Sequence, residues 1–136
     1  MAQLSASASV LLVEDESKVR YFAGEVLNLE GISAATASDG CEAMAYLEGA
    51  VKRSDELPRI VILDLYMPCM SGYEVYRKLC AASWAHALTV IITSAAGDEF
   101  EILPGVGQTL ILQKPYAVSE FVSLLHRAAP DLFDQK

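Results

Sequence analysis

The chain has 136 residues, enough for one domain with a single core and too few for two ordinary ones. Apolar residues make up 53 % and charged residues 21 %, which excludes a disordered or fibrous chain. A formal charge of −8 with no Lys/Arg cluster argues against nucleic-acid binding through phosphate contacts, and suits a cation or a basic protein face.

The opening "MAQLSASASV" lacks the basic start and apolar run of a signal peptide, and no stretch approaches membrane-spanning length. A cytoplasmic location without membrane insertion is expected, with residues 1–8 flexible. The first strand is "VLLV" (10–13), followed by Glu14-Asp15-Glu16. Helix-spaced Val19, Phe22, Ala23, Val26 and Leu27 come next, with Ser17 as the expected N-cap. The weaker run "ISAATA" (32–37) reads as an edge strand, and Ala43, Met44 and Leu47 mark a second helix before the polar "KRSDELP". "IVIL" (60–63) runs straight into Asp64; a third helix, opened by Ser71-Gly72, carries Val75, Tyr76, Leu79 and Cys80. After the strand "TVIIT" (89–93) comes "SAAGDEFEILPGVGQ", whose Pro104, Gly105 and Gly107 leave room for a helix of about two turns, over 98–103. "LIL" (110–112), Lys114-Pro115 and the stripe Val118, Phe121, Val122 and Leu125 complete the pattern, which stops near Pro130.

Near-continuous apolar runs suit strands buried on both faces of a parallel sheet. Five strand–helix alternations predict one doubly wound α/β domain over residues 9–130, with helices on both faces, an irregular fourth helix and a tail from 131. The odd cysteine count, Cys41, Cys69 and Cys80, has no metal-type spacing and reads as reduced thiols.

The polar residues fall at the strand ends. Glu14 and Asp15 follow strand one, Asp64 ends strand three, Thr93 ends strand four and Lys114 follows strand five. Open α/β sheets bind ligands at that carboxyl edge. Clustered carboxylates repel, and a divalent cation relieves the conflict; few carboxylates with room for water suit Mg²⁺. A site with Mg²⁺, an ammonium and a hydroxyl suits a phosphoryl group, with Asp64 as nucleophile. Taken singly, each residue has a plainer reading: Asp64 as a helix cap, the acidic pair as a solvated turn.

Four ordered pieces, "LLVEDE", "ILDLYMPCMSG", "VIITSA" and "LQKPY", resemble the receiver domain of two-component response regulators, over nearly the whole chain. The resemblance implies a five-stranded parallel sheet in the flavodoxin-like order 2-1-3-4-5. It implies that Asp64 accepts a phosphoryl group from a histidine kinase or histidine phosphotransfer protein. Asp15 would bind Mg²⁺ directly, Glu14 through water and Tyr66 through its backbone carbonyl. Thr93 and Lys114 would hold phosphoryl oxygens, with the Lys114–Pro115 bond cis. The domain would act as a switch, not a turnover enzyme, and signal by relaying phosphate or binding a downstream protein. It is expected to be stand-alone or to come from a hybrid histidine kinase.

Three departures from the family pattern qualify these expectations. Ile111 stands where the family usually carries an aromatic ring that changes rotamer, so a ring-flip readout is not expected. The broken fourth helix alters a common partner face. Tyr66 and Ala95, two residues beyond the acceptor and the threonine, offer no carboxylate or amide to position a water, which predicts slow self-dephosphorylation. Among rivals, a phosphohydrolase would want an aspartate at Tyr66, and a dinucleotide or flavin site a Gly- or Ser/Thr-rich loop in place of Glu14-Asp15-Glu16. The stronger rival is an interaction module that keeps this fold without phosphorylation.

Overall fold

The computed structural model describes residues 8–54 and 56–133; of the expected flexible segment 1–8, residues 1–7 lie outside them, as do residues 134–136 of the expected tail 131–136. Five parallel strands form one sheet: β1 (Val10–Val13), β2 (Ala34–Ala37), β3 (Ile60–Asp64), β4 (Thr89–Ala95) and β5 (Gln108–Lys114). Their order is β2-β1-β3-β4-β5, as the resemblance implies, with β2 and β5 at the edges. Chain direction across the sheet reverses at β1, so the crevice beyond β1 and β3 is the switch point.

Alternate strand residues serve opposite cores. Leu11, Val13, Val61, Leu63, Val90 and Ile92 face α2 (Gly40–Lys52) and α3 (Gly72–Ala81), where Leu47, Val75 and Leu79 meet them. Val10, Leu12, Ile60, Ile62 and Ile91 face α1 (Ser17–Leu29) and α4 (Val118–Ala128), against Leu27, Phe121 and Leu125. Burial on both faces is why these strands read as unbroken apolar runs. Beyond α4, a 3-10 turn over Pro130–Phe133 packs Leu132 and Phe133 against the second core.

Two local expectations need correction. Ser17 is not the N-cap of α1: Glu16, in extended geometry, holds that position, and no side chain caps the helix. The two-turn helix over 98–103 does not form; residues 96–107 run as an irregular segment between β4 and β5. Pro104 biases Leu103 away from helical geometry, and the few residues between Gly97 and Pro104 are too short to sustain a nucleus.

Tertiary contacts hold that segment instead. Phe100, Leu103 and Val106 pack on the first core. The buried Tyr76 hydroxyl accepts from the Leu103 N–H at 2.8 Å, lies 3.3 Å from the Leu103 carbonyl and shares a 2.9 Å hydrogen bond with the Thr109 hydroxyl. Tyr73 donates to the Glu101 carbonyl at 3.3 Å. The two tyrosines therefore tie α3 to this segment.

The expectation of reduced thiols also needs correction. Cys41, in the first turn of α2, is disulfide-bonded to Cys69 of the β3–α3 loop, and Cys80 is free. The two residues are 28 apart in sequence, so only the tertiary fold pairs them.

Candidate functional site

Strand register assembles the site. β1 pairs with β3 so that Val13 lies beside Leu63, and the next residue, Glu14, emerges at the crevice. Thr93 of β4 is the register partner of Asp64, and Lys114 ends β5 opposite Ala95. The Lys114–Pro115 peptide is cis, as expected.

Asp64 is the last residue of β3 and is not a helix cap. That role belongs to Ser71, which accepts from the Glu74 N–H while Glu74 accepts from the Ser71 N–H, closing a capping box at α3. Asp64 Oδ1 instead accepts a 3.1 Å hydrogen bond from Lys114 Nζ. The same ammonium lies 3.5 Å from Glu14 Oε1. Glu14 and Asp64 are only 4 % and 9 % exposed, whereas Asp15 is open to solvent. Carboxylate oxygens of Glu14, Asp15 and Asp64 lie within 4.8 Å of one another. The Thr93 hydroxyl is buried and donates to the Leu63 carbonyl at 3.4 Å. Tyr66, 64 % exposed, follows in the β3–α3 loop.

The electrostatics express crowding. Burial, followed by the Asp64 charge, raises the Glu14 carboxyl above its usual range, although Lys114 pulls the other way. Burial also raises Asp64; its bond to Lys114 opposes this and Asp15 reinforces it. Burial would lower the Lys114 ammonium, but Asp64 and Glu14 together outweigh it and hold the lysine protonated above its usual range. Three carboxylates against one ammonium leave negative charge in excess, in an all-oxygen donor set with one exposed member. That chemistry fits a hard divalent cation.

Sequence reasoning left two contributors without a role and named Gly72 only for the loop that opens the third helix. Arg20 of α1 donates to the Glu14 carbonyl at 2.7 Å, fixing the strand end from behind. Tyr116, inside the "LQKPY" stretch, has its phenol pKa raised by burial and by the Glu14 charge, with Lys114 opposing. Gly72 supports the Asp64 end of β3: a Cβ there would meet the Asp64 carbonyl oxygen at 1.9 Å, and the Gly72 N–H donates to the Leu65 carbonyl at 2.9 Å. A lone glycine opening a helix carries no sequence signal for that contact.

The response regulator receiver domain family model matches residues 10–126. The chain belongs to this family. Response regulator MprA of Mycobacterium sp. (strain KMS) is 31 % identical over 128 residues, covering 90 % of this chain and 52 % of MprA. Sensory transduction protein RegX3 of Mycolicibacterium smegmatis is 35 % identical over 117 residues, covering 85 % of this chain and 47 % of RegX3. This receiver domain therefore spans about half the length of those relatives. Protein PilG of Pseudomonas aeruginosa, 28 % identical, is matched over 96 % of this chain and 93 % of its own. In fold, the chain is similar to the receiver domain of a Syntrophus aciditrophicus signal transduction histidine kinase. That match has a TM-score of 0.74 at 22 % identity and covers 96 % of both chains. Chemotaxis protein CheY4 of Vibrio cholerae superposes with a TM-score of 0.69 at 28 % identity, over 90 % of this chain and 99 % of its own. No helix among the described residues is long and apolar enough to cross a membrane.

Proposed function

We propose that residues 9–130 form a cytoplasmic phospho-accepting receiver in a two-component phosphorelay, with Asp64 as the acceptor. The observation that carries this reading is the Lys114 ammonium 3.1 Å from Asp64 Oδ1, beside two further carboxylates. Asp64 attacks the phosphorus of a phosphohistidine on a histidine kinase or phosphotransfer protein. The P–N bond breaks, and its electron pair leaves with the imidazole, which takes up a proton. Lys114 then holds one phosphoryl oxygen, and the Thr93 hydroxyl leaves the Leu63 carbonyl to donate to another. Asp15 and Asp64 would hold Mg²⁺ directly, Glu14 through water and Tyr66 through its backbone carbonyl. When bound, the ion supplies the positive charge that lets an anionic donor approach the carboxylates.

Asp64 is consumed and regenerated, so the domain acts as a switch and not as a turnover enzyme. The phosphorylated state relays its phosphate or changes binding to a downstream protein. Ile111, 39 % exposed on the edge strand β5, carries no ring to report that change. The exposed side chains of Tyr66 and Ala95 bring no carboxylate or amide to a hydrolytic water, which favours a slowly self-dephosphorylating domain.

The test is incubation with acetyl phosphate and Mg²⁺, read by intact mass. The wild type is expected to gain one phosphoryl group and to keep it for minutes or longer after donor removal. Loss of the label within seconds would contradict slow hydrolysis. If no label forms although Mg²⁺ binds, the domain is a phosphorylation-independent interaction module instead.

A further inference from the structure

We infer that Cys41 and Cys69 are a reversible thiol–disulfide pair that makes the acceptor site responsive to redox conditions. The inference rests on the acceptor reading above and adds a regulatory input to it.

The β3–α3 loop, residues 65–71, connects Asp64 to α3 and contains Tyr66, whose carbonyl is the proposed metal ligand. Its two ends are held together, because Gly72, the residue after the loop, sits directly against the Asp64 carbonyl. Its Cys69-Met70 stretch rests on the first turn of α2. A Cβ at Gly40 would lie 2.1 Å from the Met70 carbonyl oxygen, so helix and loop touch backbone to backbone there. The disulfide spans the same contact, with Cα atoms 6.0 Å apart.

Cys69 itself has a φ of +69°, a left-handed geometry that a residue bearing a Cβ seldom adopts. The Met70 N–H closes onto the Pro68 carbonyl at 2.8 Å, forming a tight turn around Cys69. Such a turn persists where surrounding structure enforces it, and the bond to Cys41 is a direct enforcer. Reduction removes it and allows residues 66–70 to relax, which moves the Tyr66 carbonyl relative to Asp64. While bonded to each other, the two sulfurs are spent as metal ligands, so the oxidised form offers no second metal site with the nearby Asp39 carboxylate.

The chemistry needs a low-molecular-weight disulfide such as glutathione disulfide. Cys69 is exposed, so such an oxidant reaches it. The Cys69 thiolate attacks one sulfur of the oxidant and releases one thiol. The Cys41 thiolate then displaces the second, so two cysteine thiols give up two electrons and two protons as the oxidant becomes two thiols. Disulfides in reducing compartments are transient, which suits a sensor better than a permanent staple.

The test uses the full chain in a Cys80→Ser background, equilibrated with reduced or oxidised glutathione. Alkylation with mass readout counts thiols; Mg²⁺ titration and acetyl phosphate labelling follow on each form. Expected are two alkylated thiols in the reduced form and none in the oxidised form. The reduced form is expected to bind Mg²⁺ roughly tenfold more weakly and to label more slowly, an effect of the size seen when groups supporting a metal ligand are lost. Cys69→Ser is expected to behave as the reduced form in both buffers. Two free thiols after oxidation would overturn the pair, and equal Mg²⁺ affinity and labelling in both forms would overturn the coupling. If the disulfide forms but neither redox form binds Mg²⁺ or takes a label, the acceptor reading fails and the coupling with it, although the pair itself stands.

Discussion

At the carboxyl edge of β1 and β3, the buried carboxylates of Glu14 and Asp64 face the ammonium of Lys114 with Asp15 close by. Under the 96–107 segment, one neutral phenol, Tyr76, meets the N–H and carbonyl of Leu103 and the hydroxyl of Thr109. Both regions bury polar atoms, yet only the second is satisfied by its own neighbours. The first keeps a surplus of negative charge, and both of its buried acids are raised by that burial. A satisfied neutral network adds stability, whereas an unsatisfied charged one costs stability until a cation arrives. Polar burial thus marks structure in one place and, on the proposed reading, chemistry in the other.

Substitutions should therefore act with opposite signs in the two regions. The largest expected stability change is at Tyr76→Ala, which empties a fully buried ring site and frees the segment, at a cost of about 3–5 kcal/mol in urea unfolding. Tyr76→Phe keeps the ring and removes the hydroxyl, leaving the Leu103 N–H without its acceptor, at a cost of about 1–3 kcal/mol. No loss in that variant would break the comparison. Asp64→Asn is expected to go the other way without divalent cation, raising stability by roughly 1 kcal/mol, seen as an increase of a few degrees in Tm. A drop in Tm would mean that Lys114 already satisfies the carboxylate.

The smallest effect is in the pH dependence. Asp64 and Glu14 have folded-state pKa values above their ordinary ones, so the folded protein holds protons that the unfolded chain releases. Without divalent cation, their destabilising contribution should shrink as pH falls from neutral through the raised values, and vanish below the ordinary carboxylate range. The Lys114 contribution has the opposite form, present below the ordinary lysine pKa and lost as pH rises through the raised one. Stability measured against Asp64→Asn isolates the acid term, and the gap between the two proteins should narrow on acidification. A constant gap would remove the crowding argument.

The same contrast explains what the sequence revealed. Strands β1, β3 and β4 were legible because burial on both faces leaves an uninterrupted apolar signature, and the edge strand β2 because its small residues stand apart. The carboxyl-edge residues Glu14, Asp15, Asp64, Thr93 and Lys114 were legible because each ends or follows such a strand, so register alone brings them together. Whether Asp64 caps a helix was undecided in the sequence and is decided by Ser71 and Glu74. Residues 96–107 were only half legible. Pro104 and the glycines announced a break, but nothing local announces that a tyrosine from α3 supplies the missing backbone partners. The Cys41–Cys69 bond was illegible for the same reason, since it depends on the close seating of the β3–α3 loop on α2 at Gly40. Ser17 misled because a good capping residue one position inside the helix looks the same as one at its end.

The central claim is that the crowded, incompletely neutralised carboxylate at the end of β3 is the reacting group. Its most direct test traps the acyl phosphate formed from acetyl phosphate and Mg²⁺ by borohydride reduction, then maps the modified residue by peptide mass spectrometry. The expected result is reduction at Asp64 alone, abolished in Asp64→Asn and in protein stripped of divalent cation. Modification at another carboxylate, or labelling that persists in Asp64→Asn, would contradict the account.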